Sequence, residues 1–315
     1  MDKSPVLALK PFFRSVSSFD PGARPEFDRP YLLSFRGPAE VIRPYTSALG
    51  WDLFELPQPT SKEDGQKFKD LAAAIKYARA VIIWNYHHYR GSDVRSLCQT
   101  HGVPCLVMEQ GFLQQSESYW VDPTGLVGDS WINHDLSWVT DQMVEEAEAG
   151  IAPYRKAYPL EPEPGRILVP LQITGDTSVL YHAPWRTAGE FLEEVLYRYP
   201  GRCLTVRPHP KSSLARRVSS LNHPFIEVES PKSISAMDSI RKSELVVGMT
   251  STTLAEAAAL GVPTVALGNH PLRTWPVQKL SKVIAAYWAM RVPREGGNIL
   301  SAVRHIPGWP IPESQ

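Results

Sequence analysis

Short apolar runs bounded by glycine, proline and polar residues alternate along this chain with longer stretches whose apolar positions recur every three or four residues. The first pattern predicts buried strands, and the second predicts helices that bury one face. In the first half the strands fall at Tyr31–Phe35, Val81–Trp84 and Pro104–Met108, with a further apolar stretch at Trp51–Leu56. Ser61–Ala80 carries apolar residues at Phe68, Leu71, Ala72, Ile75 and Ala78, and Ser61 with Asp64 supplies a capped helix start. Ser92–His101 reads as a second helix, so residues 81–108 form a β-α-β unit. From Gln114 to Asn133 no period holds, which predicts a long loop on the active-site side. An acidic helix at Asp135–Ala149 leads to the proline-rich Tyr158–Pro164, where a domain boundary is expected.

The second half repeats the alternation. Strands are predicted at Ile167–Leu171, Leu204–Val206, Phe225–Val228, Leu245–Val247 and Thr264–Leu267, with helices at Thr187–Tyr199, Ile234–Lys242, Thr252–Leu260 and Gln278–Met290. Such an order predicts a parallel sheet covered by helices. The 315 residues suffice for two lobes, 1–158 and 159–290, with 291–315 as a tail able to cross back to the first. The fold class expected is α/β, two Rossmann-like lobes with parallel sheets.

Composition narrows the function. Lys plus Arg and Asp plus Glu each number 33, so no global field draws the protein to nucleic acid or an acidic membrane. Three cysteines without a C-x-x-C pair fit reduced core thiols and a cytoplasmic protein. No run approaches the roughly 18 apolar residues of a membrane span, so membrane association is expected to be peripheral at most.

Parallel sheets bind ligands at the carboxyl ends of their strands, and the loops there hold the candidate chemistry. Arg207-Pro-His209-Pro-Lys211 sets a histidine between two prolines, which stiffen the backbone that aims it beside two cations. That imidazole can donate to a phosphate oxygen as charge grows on a leaving group, or it is a surface histidine on a stiff loop. Gly248, Thr250, Ser251, Thr252 and Thr253 stand at a strand-to-helix turn, where free N–H groups and hydroxyls form an anion cradle. The same hydroxyls can simply cap the helix. Glu256, one turn on, either reaches a ribose or is an ordinary first-turn acid.

Glu109, followed by Gln110 and Gly111, offers a carboxylate to an attacking hydroxyl, or is a solvated loop acid. Gln172 and Asp176 are placed to hold substrate hydroxyls. Asn85, His87, His88 and Arg90 crowd the loop after Trp84 and, with Gln110 and Gly111, are acceptor-side candidates. With no third ligand and no H-E-x-x-H nearby, no metal site is expected there. The chain has no P-loop, G-x-G-x-x-G, G-x-S-x-G or D-x-D element, which lowers kinase, dehydrogenase and hydrolase readings and favours a site without metal or cofactor.

The set E-Q-G-F-L (109–113), V-P-L-Q-x-x-x-D (169–176), R-P-H-P-K (207–211) and G-M-T-S-T-T-L-A-E-A (248–257) resembles the capsule polysaccharide biosynthesis proteins. These include bacterial transferases of 3-deoxy-manno-octulosonate (Kdo) and are similar in motif layout to bacterial sialyltransferases. The resemblance spans roughly residues 80–270. It implies a GT-B architecture, two Rossmann-like lobes facing a central cleft, and a metal-independent glycosyltransferase. It also implies that His209 contacts the donor phosphate, that Ser251 and Thr252 bind the same phosphate, and that Glu109 is the acceptor-side carboxylate. The second acidic position of that motif is Gln110 here. The expected partners are a nucleotide-sugar donor, CMP-Kdo-like or a UDP or GDP sugar, and a glycan or glycolipid acceptor. Three other readings remain: a DNA glycosyltransferase acting on hydroxymethylated pyrimidines, a sugar-nucleotide 2-epimerase, and a non-catalytic nucleotide-binding protein.

Overall fold

The computed structural model describes residues 31–310 apart from 36, 57–71, 88–90, 114, 174 and 212–222. The chain forms two compact units. One holds the described residues up to Gln110, Glu117–Gly125 and those from Val292 onward; the other holds Gly111–Ser116 and Leu126–Arg291.

The first unit is built on a sheet of β1 (Tyr31–Phe35), β2 (Asp52–Leu56), β3 (Ala80–Trp84), β4 (Cys105–Gln110) and β5 (Ser118–Asp122), edged by Arg291–Pro293. Its order is Arg291–Pro293, β5, β4, β3, β1, β2. β2, β1, β3 and β4 run parallel, and β5 is antiparallel to β4. Leu32, Leu33, Val81, Ile82, Leu106 and Val107 are consecutive pairs buried on both faces, which is why these strands read as unbroken apolar runs.

Two elements here depart from expectation. The helix α1 (Ala39–Leu49) buries Val41, Ile42, Tyr45 and Thr46 while carrying Pro44 on its exposed side. That proline masks the helical pattern in the sequence. β5 lies inside the stretch expected to be loop, because its buried ends are polar: Ser118 and Asp122 hide the alternation around Trp120. Asp122 Oδ1 accepts the N–H groups of Thr124 (2.8 Å) and Gly125 (3.0 Å), making a turn with its side chain. Helix α2 is described over 72–77, and its expected start at Ser61 lies outside the described residues. α3 (Gly91–His101) then joins β3 to β4. At the far end, Arg294 N–H donates to Glu117 O (2.9 Å) and Ile299 N–H to Val41 O (3.1 Å).

The second unit contains α4 (Asp141–Ala157), β6 (Ile167–Pro170), α5 (Thr177–His182), α6 (Ala188–Arg198), β7 (Leu204–Arg207), β8 (Ile226–Val228) and α7 (Ala236–Arg241). It continues with β9 (Leu245–Gly248), α8 (Thr252–Leu260), β10 (Thr264–Ala266), α9 (Pro271–Thr274) and α10 (Leu280–Ala289). The sheet order is β10-β9-β6-β7-β8, all parallel. Successive side chains take opposite faces. Ile167, Val169, Val206 and Val247 pack on Phe191 and Val195 of α6, whereas Leu168, Val246 and Ala266 pack under Leu254, Ala257 and Leu260 of α8.

The second unit begins earlier than the connector at 158–164, because α4 belongs to it. This helix starts at Thr140, whose Oγ1 accepts Met143 N–H (3.2 Å), and runs through Gly150 and Pro153 to Ala157. The expected helix, 135–149, is displaced because residues before Thr140 pack otherwise: Trp131 and Trp138 stack at 4.6 Å. Arg155 Nε donates to Ala259 O (2.8 Å), tying α4 to the end of α8. Before α4, Val127 holds a left-handed φ of +45° while its side chain is buried, and Asn133 Nδ2 donates to the carbonyls of Val127 (2.6 Å) and Gly128 (2.9 Å). Among the described residues, no helix is long and apolar enough to cross a membrane.

Gly150 is where α4 meets α10, and a Cβ there would lie 2.0 Å from the Trp288 ring. Alanine normally favours a helix interior by about 1 kcal/mol over glycine. Gly150→Ala should nevertheless destabilise by about 1–3 kcal/mol, the usual range for overpacking. Thermal unfolding followed by circular dichroism reads this, and an unchanged or raised Tm would mean that the indole yields freely.

Candidate active site

Three neighbouring strands of the second sheet end at one edge. Pro170 lies beside Arg207 in the β6–β7 register, and Gln172, His209 and Thr250 follow from the ends of β6, β7 and β9. Gln172 is buried, and its Oε1 accepts both the N–H (3.2 Å) and the hydroxyl (3.0 Å) of Thr250. Its Nε2 donates to Ser178 Oγ (2.8 Å), and that hydroxyl donates to Asp176 Oδ1 (2.8 Å). Asp176 also accepts Ser178 N–H (2.9 Å) as the N-cap of α5. The amide, two hydroxyls and the carboxylate therefore form one chain of hydrogen bonds. Ser178 was not among the sequence candidates, although an acid two residues before a serine at a helix start is the signal of such a cap.

His209 is aimed by its own turn. Its Nδ1 accepts Lys211 N–H (3.1 Å), so the neutral ring carries its proton on Nε2. Burial pulls its pKa below the usual 6.5; the nearby Asp176 carboxylate opposes this and Lys211 adds to it. Lys211 is exposed. At the start of α8, Ser251 Oγ accepts Thr253 N–H (3.3 Å), the capping role, while Thr252 and Thr253 are half-buried. Gly248 packs on Leu254, whose atoms lie 3.2 Å from where a Cβ would be. Gly268, which was also passed over in the sequence, permits a close approach, since a Cβ there would lie 2.7 Å from Thr250 Cγ2 and 2.9 Å from Met249 O.

Two expected donor contacts have internal partners. Arg207 is buried, and its Nη1 donates to Glu229 Oε1 (2.6 Å) and Ser239 Oγ (3.2 Å), so its guanidinium serves an internal ion pair. Glu256 lines a cavity of about 20 Å³, room for one water, with Leu113, Ile151, Tyr154, Met237 and Trp288. Its carboxyl accepts Gln115 N–H, and burial pushes its pKa up to about 7. The helical period turns Glu256 toward Ile151 and Tyr154 of α4 and Trp288 of α10.

In the first unit, β3 and β4 end side by side. Asn85 holds a positive φ of +41°, and its Nδ2 donates to Glu109 Oε2 (2.7 Å) while Gln110 N–H donates to Glu109 Oε1 (2.9 Å). Asn is among the few residues that adopt this left-handed backbone readily. Asn85, expected on the acceptor side, is thus bonded directly to Glu109. Gln110 is exposed, and Gly111 is buried and grouped with the second unit. His87 is half-buried, its ring 4.0 Å from that of Tyr86. His88 and Arg90 lie outside the described residues.

No family model and no curated protein sequence matches this chain. Solved structures do. The β-Kdo 2,7 transferase of Thermosulfurimonas dismutans KpsC superposes with a TM-score of 0.59 at 19% identity, covering 87% of this chain and 98% of that one. The β-Kdo 2,4 transferase of the same KpsC gives 0.60 at 20% identity, covering 89% and 98%. This chain has the GT-B fold of those transferases. Identity at this level speaks for the fold, and the chemistry rests on the side chains.

Two measurements check these environments. Imidazole NMR of His209 should give a titration midpoint below 6.5 with the Nε2–H tautomer; a midpoint above 6.5 would contradict the burial and the Lys211 bond. For Glu256, the folded state keeps a proton up to about pH 7 that the unfolded chain loses near 4.5. Stability from this group is thus fully present below about 4.5 and is lost as pH rises through about 7. Glu256→Gln should flatten that decline in denaturant titrations at pH 5 to 8 or so, and an unaltered slope would place the carboxyl in water.

Proposed function

We propose that this chain is a metal-independent glycosyltransferase that moves a sugar from a nucleotide-sugar donor, CMP-Kdo-like, to a hydroxyl of a glycan or glycolipid. One observation carries the reading: an imidazole with a donor Nε2–H stands near Asp176 at the strand ends of a fold shared with two Kdo transferases. In this scheme His209 donates to the departing phosphate oxygen. Lys211 and the N-terminus of α8 at Ser251, Thr252 and Thr253 offset its charge, in place of a metal ion. The Gln172–Thr250–Ser178 chain fixes Asp176 toward sugar hydroxyls. Glu109, oriented by Asn85, accepts the acceptor's proton, and His87 and Gln110 contact that acceptor. The protein works in the cytoplasm and meets lipid-linked acceptors peripherally.

Thermal-shift titration with CMP, UDP and GDP is the first test. CMP alone should raise Tm, with a gain of about 2.7 kcal/mol at a hundredfold excess over Kd. His209→Ala should abolish that gain and lower kcat by about 100- to 10,000-fold, the usual worth of a general acid. Chelation with EDTA should leave turnover unchanged. A shift with UDP or GDP instead would change the donor, and no shift with any nucleotide would sink the reading.

A further inference from the structure

Glu229 lies outside every motif of the sequence, yet its carboxylate is surrounded by cations. Its side chain is 4% exposed, between Arg207 at 9% and Arg166 at 12%. Oε1 accepts Arg207 Nη1 and Oε2 accepts Arg166 Nη2, each at 2.6 Å, and the Ser239 hydroxyl bonds Glu229 as well. Replacing such a cluster by apolar side chains of equal volume is often neutral or stabilising, so stability alone is a weak reason for it. Its position suggests another. Arg207 is the last residue of β7 and the first of the turn that carries His209.

The backbone of Arg207 is held too. Its carbonyl accepts Leu171 N–H (2.8 Å), and Glu229 N–H donates to Val206 O (2.9 Å). With both ends of Arg207 fixed and Pro208 and Pro210 limiting the next torsions, little freedom remains before His209. We propose that Glu229 is a positioning residue for His209: by holding Arg207, it sets the turn in which Lys211 N–H meets Nδ1 and Nε2–H is left to donate. What that Nε2–H donates to rests on the transferase reading; the positioning itself does not.

The test compares wild type, Glu229→Gln and Arg166→Gln by long-range ¹H–¹⁵N NMR of the histidines, thermal unfolding and CMP affinity. Glu229→Gln should mix the two His209 tautomers, move its midpoint toward 6.5, and weaken CMP about tenfold, as loss of a buried charged hydrogen bond does. Arg166→Gln loosens the same carboxylate without releasing Arg207. It should lower Tm but keep the tautomer and the CMP affinity. The proposal fails if Glu229→Gln retains the wild-type tautomer, or if both variants disturb His209 in proportion to their loss of Tm. Should Glu229→Gln not fold, Ser239→Ala, which removes a hydroxyl bonded to both Glu229 and Arg207, is read the same way with a smaller shift expected. If no nucleotide binds wild type, the transferase reading falls, while the tautomer comparison still decides the role of Glu229.

Discussion

Parallel pairing imposes a constraint that the rest of the second unit answers: its strands all stop at the same edge, where backbone groups beyond the ladder need partners of their own. The unit meets that demand with side chains. Gln172 takes the Thr250 N–H that a ladder would otherwise take, and Thr250, Ser178 and Asp176 then find their partners in turn. The polar groups of this edge bond to one another, while His209 keeps its Nε2–H as a donor beside Asp176. Structure and proposed chemistry draw on the same few hydrogen bonds.

The sequence displayed much of this. Strands buried on both faces appear as apolar runs whatever their neighbours, so β1, β3, β4, β6, β7 and β9 were visible. The small polar loops after them were visible for the same reason. What stayed hidden depends on distant partners. α1 is concealed by Pro44, whose cost is offset by burial of Val41 and Tyr45. β5 is concealed by Ser118 and Asp122, buried polar residues of which Asp122 turns the chain with its side chain. Arg207 and His209 sit two positions apart in one motif and looked equivalent, but only the fold reveals that Glu229, 22 residues on, claims the first. Likewise, the sequence leaves Glu256 open between a ribose contact and a first-turn acid, and only the fold shows Ile151 and Trp288 beside it.

Two carboxylates of the second unit show how environment divides one chemistry into two uses. Glu229 is met by two guanidinium groups and a hydroxyl, each bonded to its carboxylate. Glu256 is met by a backbone N–H and the apolar walls of Leu113, Ile151 and Trp288, which favour its proton. The one is suited to hold a neighbour in place, and the other responds to pH near neutrality.

Val127 carries a tension of its own. A β-branched residue at a left-handed φ costs about 1–3 kcal/mol in backbone strain, and burying a valine side chain returns about 1.5–3 kcal/mol. Glycine would relieve the backbone but forfeit the burial, and a bulkier residue would keep the strain and crowd a side chain already 5% exposed. Valine at this position is thus a compromise between two opposing terms of similar size.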